Sequence, residues 1–129
     1  MKYRKGKLGK EFEESLKLEK GKGWIIGNFS RFKIGDPRRT NALEVKYWKI
    51  KEGEKIGHPP KMQKSATEVT IILKGEMTGT IDGDKVTVSE GEYVVINPKT
   101  VSNMVEKYQP GTEVLTIKAP SDPDDTVRL

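Results

Sequence analysis

Apolar residues in this chain gather into a few short runs, most of them alternating with polar residues at a period of two. Such alternation marks strands with one buried face, because successive side chains point to opposite sides of a strand. From Gly23 onward the runs are "GWIIGNF", "LEVKYWKI", "TEVTIIL", "MTGTI", "KVTVS", "EYVVIN", "VSNMVEKY" and "TEVLTIKA". Turn residues divide the later ones: Gly75, Asp82-Gly83, Glu90-Gly91, Asn97-Pro98-Lys99 and Gln109-Pro110-Gly111. Asp-Gly between two alternating runs is the strongest hairpin signal here, since it suits the turn whose twist matches paired strands. Short strands at this spacing predict an all-β sandwich or barrel. Three stretches read as non-regular: "SRFKIGDPRRTNA", the long loop "KEGEKIGHPPKMQKSA" and the tail "PSDPDDTVRL". In "LEVKYWKI", Leu43, Val45 and Tyr47 alternate with Glu44 and Lys46. Tyr47 is therefore expected inside, and Trp48 outside, stacking on a sugar or packing on a second subunit.

The first 22 residues have a different texture. They are polar and repeat Gly-Lys, and only "KEFEESLKLE", with Phe12 and Leu16 four apart, suggests a short helix. Residues 1–22 are thus expected to be a basic N-terminal arm, partly disordered or a short helix, and residues 23–129 a single domain. A length of 129 residues suits one domain. Hydrophobic and charged residues each make up 33%, which implies a lean core and a heavily charged surface. The net charge is +5, but residues 1–23 hold eight bases against four acids, so the body is close to neutral. A basic terminal run without interleaved aromatics reads as a solvated arm rather than a nucleic-acid surface. There is no cysteine, which excludes disulfides and thiolate chemistry. No apolar run is long enough for a membrane helix. The basic N-terminus has no apolar segment after it, so no secretory signal is read and a cytoplasmic location is expected.

Two segments carry a resemblance. Glu68 is followed, after a strand-like "VTIILK", by Gly75; further on, "GEYVVINPKTVS" runs from Gly91 through Pro98 to Ser102. With the Asp82-Gly83 hairpin between them, these resemble the two signatures of the cupins, over roughly residues 43 to 118. The resemblance implies a single-domain jelly-roll β-barrel, most often paired as a homodimer. "WIIGNFSRFKI" looks like a leading strand able to cross to a partner barrel. The fold says little about chemistry, because activities on it are diverse.

In the family the first signature carries two histidines and a glutamate, and the second a further histidine, together holding a metal. Carried over, the histidine positions fall on Met62 and Lys64, or on Lys61 and Gln63 in the longer register. The glutamate falls on Glu68 and the last histidine on Ser102. Ammonium, thioether, amide and hydroxyl are poor partners for a transition metal, so no metal and no cofactor are expected. The chain's single histidine, His58, lies on the loop before the strand. It is read as a loop residue at the barrel mouth, or as half of a shifted His58/Glu68 metal site.

If one strand ran from Lys64, then Lys64, Glu68, Thr70 and Ile72 would share the inner face. Lys64 would then pair with Glu68. Catalytic candidates are accordingly Glu68, Lys64 and His58. Ser102, Met104, Tyr47 and Gln63 are candidate ligand contacts. The lysines point to a small anionic ligand, sugar- or carboxylate-like, bound without turnover. One alternative is a metal-independent isomerase, epimerase or lyase using Glu68 with Lys64 or His58. The others are a metal-dependent enzyme, and an interaction protein that docks through its arm.

Overall fold

A computed structural model describes residues 2–55 and 57–129. One helix, α1 (Leu8–Ser15), precedes ten strands: β1 (Trp24–Ile26), β2 (Glu44–Lys49), β3 (Lys61–Gln63), β4 (Thr67–Lys74), β5 (Glu76–Ile81), β6 (Asp84–Ser89), β7 (Tyr93–Ile96), β8 (Ser102–Tyr108), β9 (Glu113–Ala119) and β10 (Thr126–Arg128). They form two antiparallel five-stranded sheets, ordered β1-β2-β9-β4-β7 and β10-β3-β8-β5-β6. This is an all-β jelly roll with a short helix at its N-terminus. No helix among the described residues is long and apolar enough to cross a membrane.

The strands follow the alternating runs closely. Asp82 and Gly83, with φ of 51° and 82°, make the two-residue turn joining β5 to β6, where Ile81 faces Asp84. Two strands lie where the sequence predicts irregular chain. β3 falls in the long loop and β10 in the tail, and they pair with each other in register Lys61↔Arg128. Neither three-residue segment has enough alternation to announce itself; each is a strand because the other supplies its backbone partners. "WIIGNFSRFKI" does not form a long leading strand. Only Trp24–Ile26 is extended, and it pairs with β2 of its own barrel.

The core is in two parts. Ile50, Ile72, Met77, Val88, Ile96, Met104 and Val114 pack between the sheets. Phe12, Ile25 and Tyr47 form a second cluster on the outer face of the β1–β2 end, beneath α1. Phe12 meets the Tyr47 ring edge-on at 5.7 Å and the Trp48 ring at 5.1 Å. Ser15 fastens the helix by accepting the Gly23 N–H at 2.7 Å while donating to the Phe12 carbonyl at 2.6 Å. At Gly23, φ is +84° and a Cβ would lie 2.6 Å from the Trp48 ring, so the arm can lie this close only through glycine.

That outer cluster reverses the expected sidedness of β2. Tyr47 is only 4% exposed, but it is buried under the helix, and its hydroxyl donates to Glu113. Because α1 gives the apolar edge of β2 a partner outside the barrel, the face bearing Glu44, Lys46 and Trp48 turns inward.

Candidate functional site

The inner face of the first sheet is graded, and its registers show how. Glu44, Lys118 and Glu68 lie side by side across β2, β9 and β4. Next come Lys46, Thr116 and Thr70, then Trp48, Val114 and Ile72. Polar rows thus occupy one end of the barrel and apolar rows the other. On the facing sheet, Arg128, Lys61 and Ser102 align across β10, β3 and β8. Between these polar rows opens a cavity of about 560 Å³. Its lining includes Trp24, Lys46, Trp48, His58, Lys61, Glu68, Thr70, Ser102, Met104, Thr116, Lys118 and Arg128.

Glu68 is nearly fully buried and takes an ion pair from Lys61 at 3.2 Å. Among the described residues, Lys46 and Lys118 make no ion pair with any carboxylate. Their ammonium groups sit against indole faces instead. Lys46 Nζ is 4.9 Å from the Trp48 ring centre and 5.7 Å from that of Trp24, and Lys118 Nζ is 5.0 Å from Trp24. Burial, then repulsion from Lys61 and Lys118, brings the Lys46 amine down to about 8, against the pull of Glu68. Burial and Lys61 likewise lower Lys118, opposed by Glu68 and Glu44. Burial raises Glu44, against the attraction of Lys118 and Lys61.

The predicted site residues divide in two. Glu68, His58, Ser102 and Met104 line the cavity. His58 lies at its rim, where Nδ1 donates to the Pro59 carbonyl at 2.9 Å. Burial, Lys61, Arg128 and Lys46 depress its pKa, against that hydrogen bond. Lys64, Gln63 and Tyr47 are not brought to the cavity. Lys64 is exposed because the strand breaks: Lys64–Ala66 form a turn between β3 and β4. The Asp125 carboxylate accepts the N–H of Ser65 and of Ala66, each at 2.9 Å, and holds that turn. Lys61, not Lys64, therefore meets Glu68. Gln63 is buried behind the lining, accepting from Thr126 Oγ1 at 2.9 Å, with its Nε2 unpartnered. Tyr47 lies on the other face of its strand.

Lining residues that the sequence reading missed include Lys46, Lys118, Arg128 and Trp24. Lys118 could have been suspected, since alternation puts it on the same face as Val114 and Thr116. Lys46 could have been found only by knowing which face of β2 turns inward.

A Cupin domain model matches residues 46–117. The chain belongs to the cupin family. Similar solved structures include Streptomyces PAC13 with uridine, at 12% identity and a TM-score of 0.56, covering 69% of each chain. Another is the WlaRB TDP-quinovose 3,4-ketoisomerase from Campylobacter jejuni, at 16% identity and a TM-score of 0.56, covering 66% of this cupin and 68% of that chain. KdgF from Halomonas sp. is 18% identical with a TM-score of 0.54, over 66% of this chain and 74% of its own. At these identities the likeness is one of fold. Among curated proteins no sequence matches this cupin.

The donor set does not fit a divalent metal. Of the family positions, the cavity is presented with the Lys61 ammonium, a Glu68 carboxylate already paired and the Ser102 hydroxyl, while Gln63 lies behind the lining. Lys46, Lys118 and Arg128 add positive charge around them. Among the described residues no three histidine, cysteine or acidic side chains gather closely enough to hold a metal ion. Two ligands, His58 and Glu68, are too few for a stable zinc or iron site.

Proposed function

We propose that this cupin binds a small organic anion, carboxylate- or sugar-phosphate-like, in the cup between its sheets. The observation behind this reading is the uncompensated charge. Lys46, Lys61, Lys118 and Arg128 line one cavity against two carboxylates, Glu68, which Lys61 takes, and Glu54, which accepts from Trp48 Nε1. Lys118 is buried and Lys46 and Lys61 are half-buried, so crowding their charges is costly, and an anion entering the cup would relieve that cost. Trp24 and Trp48 supply flat apolar walls for the body of such a ligand.

The test is a thermal-shift series of sugar phosphates, nucleotides and carboxylates, each beside a neutral analogue. Saturable stabilisation is expected from anions alone. Lys118→Gln should weaken it by about 10-fold or more, the cost of one charge-assisted hydrogen bond. Equal shifts from neutral and anionic analogues would refute the reading.

A second reading has one observation in its favour. The Lys61–Glu68 pair places a proton acceptor and a proton donor together in the cup, as a metal-independent isomerase, epimerase or lyase would need. Turnover of a sugar nucleotide by wild type but not by Glu68→Gln would establish it over simple binding.

A further inference from the structure

We propose that Lys46 is a nucleophilic amine that forms an imine with the carbonyl group of an oxo acid held in the cup. The inference rests on the anion-binding reading above, since the acid group is what brings the carbonyl to Lys46.

The three cavity lysines are not equivalent. Lys61 is tied to Glu68 at 3.2 Å. Lys118 has Glu68 and Glu44 both favouring its charge. Lys46 has neither an ion pair nor Glu44 working for it, and its neighbours are hostile to a second charge. Facing it are Lys61 from β3, Lys118 from β9 and Arg128 from β10, opposed by Glu68 of β4. The Trp24 and Trp48 rings flank its tip. A lysine partly shielded from water beside other cations loses its proton readily, and the free amine is the attacking form. With the amine at about 8 rather than 10.5, the free-base fraction at pH 7 is roughly 300-fold that of an ordinary exposed lysine.

The remaining cations have a complementary task. Lys118 and Arg128 can hold the carboxylate of the oxo acid, which leaves its carbonyl carbon toward Lys46. Attack forms the C–N bond as the carbonyl π pair moves to oxygen. The two amine protons then leave with that oxygen as one water, giving a C=N bond to Lys46 with no oxidant or second substrate needed. At about 560 Å³ the cup has room for a small oxo acid.

The test uses the full chain with pyruvate as the carbonyl probe, lactate as its non-carbonyl counterpart, and sodium borohydride to reduce any imine to a stable secondary amine. Peptide mapping by mass spectrometry then locates the adduct. After pyruvate at pH 7 to 8, Lys46 should be modified at least about 10-fold more than exposed lysines such as Lys51. Lys46→Arg keeps the charge and should lose that adduct alone. The wild-type map decides the matter even if the variant folds poorly. An adduct absent from Lys46, or spread evenly over surface lysines, would overturn the proposal. Thermal shifts separate the two readings. Stabilisation by both lactate and pyruvate without an adduct keeps the anion site and removes the imine. An adduct on Lys46 without any shift from lactate keeps a reactive amine but overturns both the anion site and the oxo-acid selectivity that rests on it.

Discussion

Replacing Lys46 by methionine should make this protein more stable. Methionine has a similar length, fits irregular space and carries no charge. In wild type the Lys46 amine stands at about 8 in the folded state against 10.5 as its ordinary value. At 1.36 kcal/mol per pKa unit, holding that ammonium in the cup at neutral pH costs about 3 kcal/mol. Its contacts with the Trp24 and Trp48 rings offset about 1 kcal/mol of this. Lys46→Met should therefore gain about 2 kcal/mol at pH 7, or roughly 6–10 °C in Tm for a domain of this size. The gain depends on pH with a definite sign. The folded-state value lies below the unfolded one, so the unfolded chain holds this proton more tightly between about pH 8 and 10.5. Wild type thus becomes more stable as pH rises through that window, and the full cost applies below it. Thermal unfolding followed by circular dichroism from pH 6 to 10.5, on both proteins, measures this directly. The gap should be widest at and below pH 8 and close toward 10.5. A variant melting at or below wild type at pH 7, or a gap that stays constant with pH, would refute the electrostatic argument for the cup.

Glu68→Gln leaves Lys61 without its partner among three other cations, so the ligand-free protein should lose about 3 kcal/mol. The same change should enlarge the thermal shift from added carboxylates, and an unchanged shift would show that bound anions do not sense Glu68. Phe12→Ala, by emptying the space between α1 and Tyr47, should cost about 3–4 kcal/mol in urea unfolding. A loss under about 1 kcal/mol would mean that the helix adds little to the core. Tyr93 and Val95 on β7, an edge strand, and Leu73 on β4 leave an apolar outer surface. Such a surface on a sheet edge suits a second copy of this chain. Tyr93→Glu with Val95→Glu should turn a dimer into a monomer by light scattering, and a monomeric wild type would remove that expectation.

Several features could be read from the residues because their causes are local. Asp82-Gly83 makes its turn through backbone conformations that those two residues tolerate. The alternation in "TEVTIIL" and "TEVLTIKA" gives β4 and β9 their two faces. Glu68, Thr70 and Ile72 are buried as that alternation requires. The family resemblance rested on these same local signals, and the match to residues 46–117 agrees with it.

By itself, then, the sequence determined an all-β barrel of the cupin family, Glu68 on an inward face, and a poor set of metal donors. Only the tertiary structure decided what shares the cup with Glu68. Alternation tells which residues share a face but not which face is inside. On β2 that choice was made by α1, which covered Tyr47 from without and turned Lys46 and Trp48 inward. Likewise β3 and β10 are strands because they meet each other across the fold, and Asp125 sets the turn that exposes Lys64 and leaves Lys61 with Glu68. The positive charge of the cavity comes from side chains far apart along the chain. It exists because sheet pairing brings them together, which no local pattern encodes.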